Sequence, residues 1–127
     1  MSIIEFENPW TPAHQAVESS DHATLTRLLD EGADVNEVCC GMTLLMHAID
    51  LEGDSALQSR QPVDSALTAI LLAYGADPTI TLDGETAYDI AHRYNHGMAI
   101  RLLHWFTTHH GGVAAPDPGG LVDEDKR

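Results

Sequence analysis

Apolar residues recur along this chain with helical spacing, in several short segments rather than in one long run. Leu25, Leu28 and Leu29 fall on one face of a helix that is predicted to begin after Asp21, a residue type that caps helices well. The predicted helices have only about 8 to 13 residues, whereas isolated helices need about 12–15 residues to be stable. They must therefore be held by packing against their neighbours.

The segments repeat along the chain. The stretch TPAHQA from Thr11 returns as TLLMHA from Thr43 and as TAYDIA from Thr86, with an alanine five positions after each threonine. A second stretch, LLDEGADVN, returns as LLAYGADPT with Gly32 and Gly75 in register, and each glycine lies 11 residues before the next threonine. Two markers that keep one spacing predict stacked units of the same kind.

Local signals predict how the units begin and end. Pro12 suits the first turn of a helix, and Thr11 before it can act as the N-terminal cap. Gly32 and Gly75 are predicted to end helices, because glycine readily adopts the left-handed conformation of a C-terminal cap. Asn95 tolerates the same conformation in a turn between helices. Small alanines at positions 16, 48 and 91 would let adjacent helices approach closely. The predicted core residues around them are Leu45, Ile70, Leu71, Leu72, Ile90, Ile100, Leu102 and Leu103.

With these motifs the chain resembles the ankyrin repeat family, whose unit of about 33 residues carries the motif T-P-L-H-x-A, two helices and a β-hairpin. Thr11, Pro12, His14 and Ala16 match that motif. The resemblance implies an all-α solenoid of helix-turn-helix units joined by β-hairpin-like loops. It also implies that His14 forms hydrogen bonds within and between units.

The resemblance implies three repeats, which form one domain over residues 1–110. They are expected at about residues 8–38, 39–81 and 82–108. The second unit is longer than the first, and the excess falls between Asp50 and Asp64. We expect an insertion there, either a loop or an extra helical turn, before a helix with Pro62 in its first turn. Either this segment is a loop in which added length is simply tolerated, or it contacts a partner. Residues 111–127 are rich in Gly and Pro without apolar periodicity, which predicts a disordered acidic tail.

The composition is strongly acidic and excludes several classes of function. Asp and Glu total 20 against 6 Lys and Arg, so nucleic acid is not an expected partner, because phosphates bind through Lys and Arg. No apolar run approaches the ~20 residues that span a bilayer, so we expect a cytoplasmic protein without a membrane partner. The adjacent Cys39 and Cys40 cannot form the long-range disulfides of small secreted folds, and we interpret them as reduced thiols. They have no basic neighbour that would make them reactive.

Candidate catalytic and metal-binding groups are few. His92 and His96 have the i, i+4 spacing of paired ligands, but a zinc site needs three or four ligands, and only Asp89 and His104 lie nearby. The stretch SSDHA at residues 19–23 is too compact for a catalytic triad, whose members converge from separate positions. We therefore expect no metal, no cofactor and no enzymatic activity, and we expect these histidines to be solvated on the surface.

The remaining surface is predicted to bind a protein. Ankyrin-like repeats bind through hairpin tips and the concave face of the first helices, because a solenoid offers an extended groove. Trp10 is the predicted anchor, since tryptophan is enriched at interface hot spots; the alternative is that it packs as part of an N-terminal cap. The predicted partner-binding residues are Trp10, Gln15, Glu18, Glu37, Val38, Cys39, Cys40, Met42, His47, Asp50 and Glu85.

Three functions remain open from the sequence. The first is a non-catalytic inhibitor or immunity-type protein, monomeric when free, that masks a basic protein partner. The second is an adaptor that links partners without inhibiting them, and the third is a histidine-based metalloprotein or hydrolase. The acidity serves either solubility or attraction of a basic partner, and the absence of Lys and Arg from the predicted groove favours attraction. The acids predicted on tips or the insertion are Glu37, Asp50, Glu52, Asp54, Asp83 and Glu85.

Overall fold

The computed structural model describes residues 10–108, which form two rows of packed helices. The six helices of this segment are α1 (Pro12–Glu18), α2 (His22–Asp30), α3 (Leu44–Ser59), α4 (Ala66–Ala73), α5 (Ala87–Arg93) and α6 (Gly97–Phe106). Helices α1, α3 and α5 pack in one row, which we call the inner row, and α2, α4 and α6 pack in the other, the outer row. Each helix of the inner row contacts the helix that follows it in the chain. The all-α prediction is confirmed. The predicted tail at 111–127 and both ends of the predicted domain lie outside the described residues.

Short hairpins connect the helix pairs. The strands of the first are β1 (Val38–Cys39) and β2 (Met42–Thr43), which pair antiparallel. Its two turn residues, Cys40 and Gly41, both have positive φ angles, 58° and 82°, as a two-residue hairpin turn requires. A similar turn at residues 83–84 places Leu82 opposite Glu85. The prediction that the two cysteines lie at a hairpin tip is confirmed.

The predicted starts of the first two helices are also confirmed. The Thr11 hydroxyl accepts a hydrogen bond from the His14 amide at 3.2 Å, with Pro12 in the first turn of α1. Asp21 caps α2 by accepting from the Thr24 amide at 3.1 Å. In each case a side-chain oxygen satisfies an amide that has no partner within its own helix.

The predicted glycine caps close the second helices of the first two pairs. Gly32 has a φ of 103°, its amide donates to Leu29, and the next amide, that of Ala33, donates to Leu28 at 3.0 Å. This pair of bonds is the Schellman arrangement, and Gly75 repeats it at the end of α4. Asn95 adopts the predicted left-handed conformation between α5 and α6, with a φ of 54°.

Helix α3 is longer than the sequence predicts. The segment between Asp50 and Asp64 was expected as a loop or a single extra turn, but the helix runs on to Ser59, and Arg60 ends it in a left-handed conformation. Pro62 lies in the connector and not in the first turn of α4, which begins at Ala66. The proline is accommodated there because it disfavours helical backbone at the residue before it.

Gly53 in the middle of α3 is required by packing. A Cβ atom at this position would lie 2.7 Å from Cδ1 of Tyr94, which follows α5 directly. The Tyr94 hydroxyl donates to Asp50 at 2.8 Å, which fixes the ring against the α3 surface. Burial, followed by this hydrogen bond, raises the pKa of Tyr94 to about 12. Tyr94 therefore joins α5 to α3 at a point where only glycine leaves room.

The carboxylate of Glu52 is buried, so its prediction as a surface acid of the insertion is wrong. Its Oε2 accepts from the amides of Leu67 and Thr68 at 3.0 and 3.2 Å. Its Oε1 accepts from the Thr68 hydroxyl at 2.6 Å and from Nε2 of His96 at 2.9 Å. Ser65 precedes α4 without a side-chain cap, so Glu52 supplies the cap from another helix.

His96 is also buried, which contradicts its prediction as a solvated surface histidine. Its Nδ1 accepts from the amide of Ala99 at 3.2 Å and so caps α6. Because Nδ1 accepts, we assign the ring hydrogen to Nε2, which donates to Glu52. Every polar atom of this buried pair has a partner, and the pair ties α3, α4 and α6 together.

We expect Gly53→Ala to lower the free energy of unfolding by about 1 kcal/mol or more. Alanine gains about 1 kcal/mol in helix propensity, but overlap of the new Cβ with Tyr94 outweighs this gain, since overpacking costs about 1–3 kcal/mol. The matched control is Gly97→Ala in α6, where no atom lies within 4 Å of an added Cβ. Urea unfolding measures both, and equal stability of the two variants would contradict this role of Gly53.

We expect Glu52→Gln to lower the free energy of unfolding by about 3 kcal/mol, because its NH₂ group would face backbone and imidazole donors that need an acceptor. Glu31→Gln is the control, since its carboxylate pairs with Arg27 on the exposed surface of α2, where such pairs contribute about 0–1 kcal/mol. Urea unfolding at neutral pH measures the difference. A loss no larger than that of the control would show that the buried carboxylate contributes little.

Candidate protein-binding site

The first hairpin and the first two helices of the inner row bring most of the predicted binding residues to one junction. Val38, Cys39, Cys40 and Met42 form the hairpin, and Glu37 precedes it. The other members at this junction are Trp10 before α1, Gln15 and Glu18 on α1, and His47 and Asp50 on α3. Glu85 lies apart from them, on the second hairpin. Partner contact by these residues stays a prediction.

A chain of hydrogen bonds between two buried imidazoles crosses this junction. Nδ1 of His14 lies 2.9 Å from Nδ1 of His47, so α1 and α3 are joined through their rings. Nε2 of His14 contacts the Glu37 carbonyl oxygen at 3.4 Å, and Nε2 of His47 contacts the Glu18 carboxylate at 2.8 Å. The expectation that His14 bonds between units is confirmed, and its partner in the next helix is His47.

The pattern of partners sets the number of hydrogens on the two rings. The Glu37 carbonyl and the Glu18 carboxylate only accept, so both Nε2 atoms carry hydrogen. One further hydrogen lies between the two Nδ1 atoms. Burial lowers the pKa of His14 and so opposes a positive charge on that ring.

Trp10 packs on this pair rather than standing apart from it. Its ring stacks on His47 with centroids 4.6 Å apart and lies 6.1 Å from the His14 ring. Trp10 therefore packs against the first two helices of the inner row, as the alternative of a packing role proposed. The half-buried ring still leaves one portion for a partner.

His47 is buried in the structure, and its predicted contact with a partner stays a prediction. Only 2% of its surface is exposed, because His14, Trp10 and Glu18 enclose it. Its role is to hold α3 against α1. Gln15 remains half-buried at the surface, where its amide donates to Ser19.

Several predicted acidic contacts already have partners inside the protein. The Thr11 hydroxyl donates to Glu37, and Asp50 accepts from Tyr94. Glu85 forms an ion pair with Arg93 on α5, so the expectation that the groove lacks basic residues is wrong at this point. Glu18, Glu37 and Asp50 form a group of carboxylates beside α1 and α3.

The hairpin tip combines an exposed apolar side chain with two thiols. Val38 is 52% exposed, whereas Met42 on the opposite strand packs partly against the core. The sulfur atoms of Cys39 and Cys40 lie 3.5 Å apart. Their hydrogen bond raises the pKa of the Cys40 thiol, which opposes a role as a reactive thiolate.

Sequence reasoning missed the two buried histidine contacts for different reasons. His14 and His47 are 33 residues apart, the period of an ankyrin repeat, and that spacing could have pointed to contact between units. His47 lies one place past the position of the motif histidine, which Met46 occupies, so it was assigned to the surface. Glu52 and His96 share no periodic spacing, and no sequence signal identifies their contact.

Two features would point to other functions of this chain: a cluster of metal-binding side chains and a membrane-spanning helix. Residues 10–108 contain no cluster of three or more His, Cys, Asp or Glu side chains that could hold a metal ion. The same residues contain no helix that is both long and apolar enough to cross a membrane. The arrangement instead presents an edge of hairpins and helix faces for contact with another molecule.

Stacked helix pairs with projecting hairpins define a helical repeat protein. Residues 10–39, which run from Trp10 through α1 and α2 to the first hairpin, match the Ankyrin repeat family model. The resemblance predicted from Thr11, Pro12, His14 and Ala16 is thereby confirmed for this unit. No curated protein matches the chain. Ankyrin repeats are typically non-catalytic modules that bind proteins, and this unit contains the first strand of the first hairpin and the His14 side of the junction.

We expect the free energy of unfolding to fall as the pH is lowered below about 6.5. Burial holds the pKa of His14 below its ordinary value, so in the window beneath 6.5 the unfolded chain binds more protons than the folded one. A second proton on the pair would also place hydrogens on both facing Nδ1 atoms. Two acidic residues face the pair: the carboxylate of Glu18 contacts His47, and the charge of Glu37 raises the pKa of His14 in part.

Urea unfolding between about pH 7.5 and pH 5 measures this dependence, and NMR of the His14 ring assigns it. The ring should titrate with a midpoint below 6.5, the ordinary histidine value. A midpoint above that value, or stability that rises on acidification from about pH 6.5 to pH 5, would contradict the lowered pKa of His14.

Proposed function

We propose that this protein is a non-catalytic binding module of the inhibitor or immunity type, which masks a basic protein partner. The proposal includes a three-repeat stack with a lengthened second unit, a monomeric free state and a cytoplasmic location. It rests on the family match at residues 10–39 and on the surface beside that unit. The alternative of an adaptor that does not inhibit its partner is an outcome of the experiment below.

One observation carries the proposal: an exposed apolar tip stands beside a group of carboxylates. Val38 is a large apolar side chain with half its surface in solvent, at the end of a hairpin fixed by a two-residue turn. Glu37 adjoins it in the chain, and Glu18 lies on the helix to which the hairpin is joined through His14. An apolar centre with charges around it is the usual composition of a protein interface.

The positions of the charges favour a basic partner. Glu18, Glu37 and Asp50 accept hydrogen bonds from His47, Thr11 and Tyr94, and these contacts hold the carboxylates at the surface of the first two units. At the third unit, Arg93 offsets the charge of Glu85. Negative potential is therefore concentrated at one end of the inner row, where it would attract a basic surface over several ångströms.

Masking fits this geometry better than bridging does. An adaptor must hold two partners on separate surfaces, whereas the apolar tip and the carboxylates of the first two units lie at one junction. A single partner that covers this junction would have its own basic surface blocked. The expected consequence is loss of the partner's activity when it is bound.

The apolar contribution is tested by Val38→Asp, with Leu57→Asp as the matched control. Both side chains are exposed, 52% and 67%, but Leu57 lies on the extension of α3 instead of the hairpin. The partner is first captured from the native source with the wild-type protein and identified. We expect Val38→Asp to raise the dissociation rate about tenfold or more, with little effect of Leu57→Asp. Equal effects of the two substitutions would reject the hairpin tip as the binding centre.

The electrostatic contribution is tested by Glu37→Gln, with Glu31→Gln on α2 as the control. After the substitution, the oxygen of the new side-chain amide can still accept a hydrogen bond from the Thr11 hydroxyl. The substitution therefore removes the charge and keeps the hydrogen bond. We expect a slower association rate for Glu37→Gln and an unchanged rate for Glu31→Gln. For the wild type, the association rate should decrease strongly as salt is added, because the Debye length falls from ~30 Å at 0.01 M to ~8 Å at 0.15 M. An acidic partner, or association that does not change with salt, would refute the electrostatic part.

The same purified partner decides between inhibitor and adaptor. Its activity is measured with and without the wild-type protein, and with Val38→Asp at the same concentration. Loss of activity with the wild type and its recovery with Val38→Asp is the result expected of an inhibitor. Full activity in the saturated complex would establish the adaptor alternative.

A further inference from the structure

Three residues with sulfur-bearing side chains, Cys39, Cys40 and Met42, lie in the first hairpin. The Sγ atoms of Cys39 and Cys40 lie 3.5 Å apart, which is close enough for both to bind one ion. Cys39 lies directly opposite Met42 in the strand register. Side chains of directly opposed residues leave the same face of a hairpin, with Cβ atoms about 4.5–5.5 Å apart. The thioether of Met42 therefore belongs to the same face as the Cys39 thiol.

The hairpin holds these side chains in place and leaves them accessible. The positive φ angles of Cys40 and Gly41 set a tight turn, so the two thiols cannot separate along an extended chain. Cys40 is exposed, while Cys39 and Met42 are half-buried at the base of the turn. An ion from solvent can reach all three without opening the core.

The chemistry of the donors selects the ion. Thiolate and thioether sulfur are soft ligands that favour Cu(I), whereas Mg²⁺ and Ca²⁺ prefer oxygen. A structural zinc site takes four ligands, usually Cys, His or carboxylate, and the described residues contain no such cluster even of three. Two thiols and one thioether thus suit a soft monovalent cation of low coordination number.

We propose that Cys39, Cys40 and Met42 form a three-sulfur site for Cu(I) at the hairpin tip. One Cu⁺ replaces the two thiol hydrogens, so the site becomes a bis-thiolate complex of charge −1 and two protons are released. No electron is transferred, because the copper enters as Cu(I). The site does not depend on the proposed function, although an ion there would occupy the tip beside Val38.

Proton release makes binding depend on pH in a defined direction. Affinity for Cu(I) should therefore decrease as the pH is lowered. The acidic Glu37 carboxylate, one residue before β1, adds a favourable charge close to the cation.

The experiment uses the full-length, reduced protein under anaerobic conditions, with Cu(I) supplied as its complex with the colorimetric chelator bathocuproine disulfonate. We expect the wild type to withdraw one Cu(I) per chain. Cys39→Ser and Cys40→Ser should each weaken binding beyond the ~10–100-fold that changes outside the ligand set produce. Met42→Leu, which conserves volume, should weaken it about tenfold, and Met98→Leu on α6 should leave it unchanged.

X-ray absorption of the wild-type complex gives a second measurement that needs no variant. We expect copper surrounded by three sulfur atoms and no nitrogen or oxygen. Circular dichroism of each variant should retain the helical spectrum, since Cys39, Cys40 and Met42 lie outside the helices and Met98 is half exposed on α6. Failure of the wild type to withdraw copper, equal affinity of Met42→Leu and the wild type, or coordination by two sulfurs alone would overturn the proposed site.

Discussion

The hydrogen bond between the buried rings of His14 and His47 joins the first two helices of the inner row, and the arrangement of the binding surface depends on it. Through Nε2 of His14 it reaches the backbone of Glu37 and so positions the hairpin. Through Nε2 of His47 it holds the Glu18 carboxylate, while Trp10 covers the pair. Two imidazoles can be buried here because each ring nitrogen has a partner.

The contact between α3, α4 and α6 also buries polar side chains, and there too each buried polar atom has a hydrogen-bond partner. The extension of α3 buries Glu52, whose four hydrogen bonds cap α4 and hold His96 at the start of α6. Gly53 beside it admits the ring of Tyr94. A short stack has little apolar area per unit, so contacts that join helices across a junction matter for its cooperativity. The added length of α3 thus strengthens the stack itself, whatever else it contacts.

Local features could be predicted from the sequence, and contacts between distant residues could not. Thr11, Asp21 and Gly32 act on amides and carbonyls within a few positions, so their residue types sufficed. Glu52 caps a helix that begins 14 residues later, and nothing in its surroundings distinguishes it from an exposed acid. The prediction that Pro62 lies in the first turn of a helix is wrong, because proline equally suits the connector that follows a longer helix. The binding residues were found as a group, but the burial of His47 depends on the partner rings around it.

Hydrogen exchange of the stack, free and bound to its captured partner, tests most directly whether binding occurs at the first junction. Amides of residues 37–43 should exchange more slowly in the complex, since the hairpin is short and its tip is exposed. Amides of α2 and α6, on the outer row, should exchange at unchanged rates. Slower exchange confined to the outer row, with the hairpin unaffected, would contradict a partner surface built on Val38 and the carboxylates beside it.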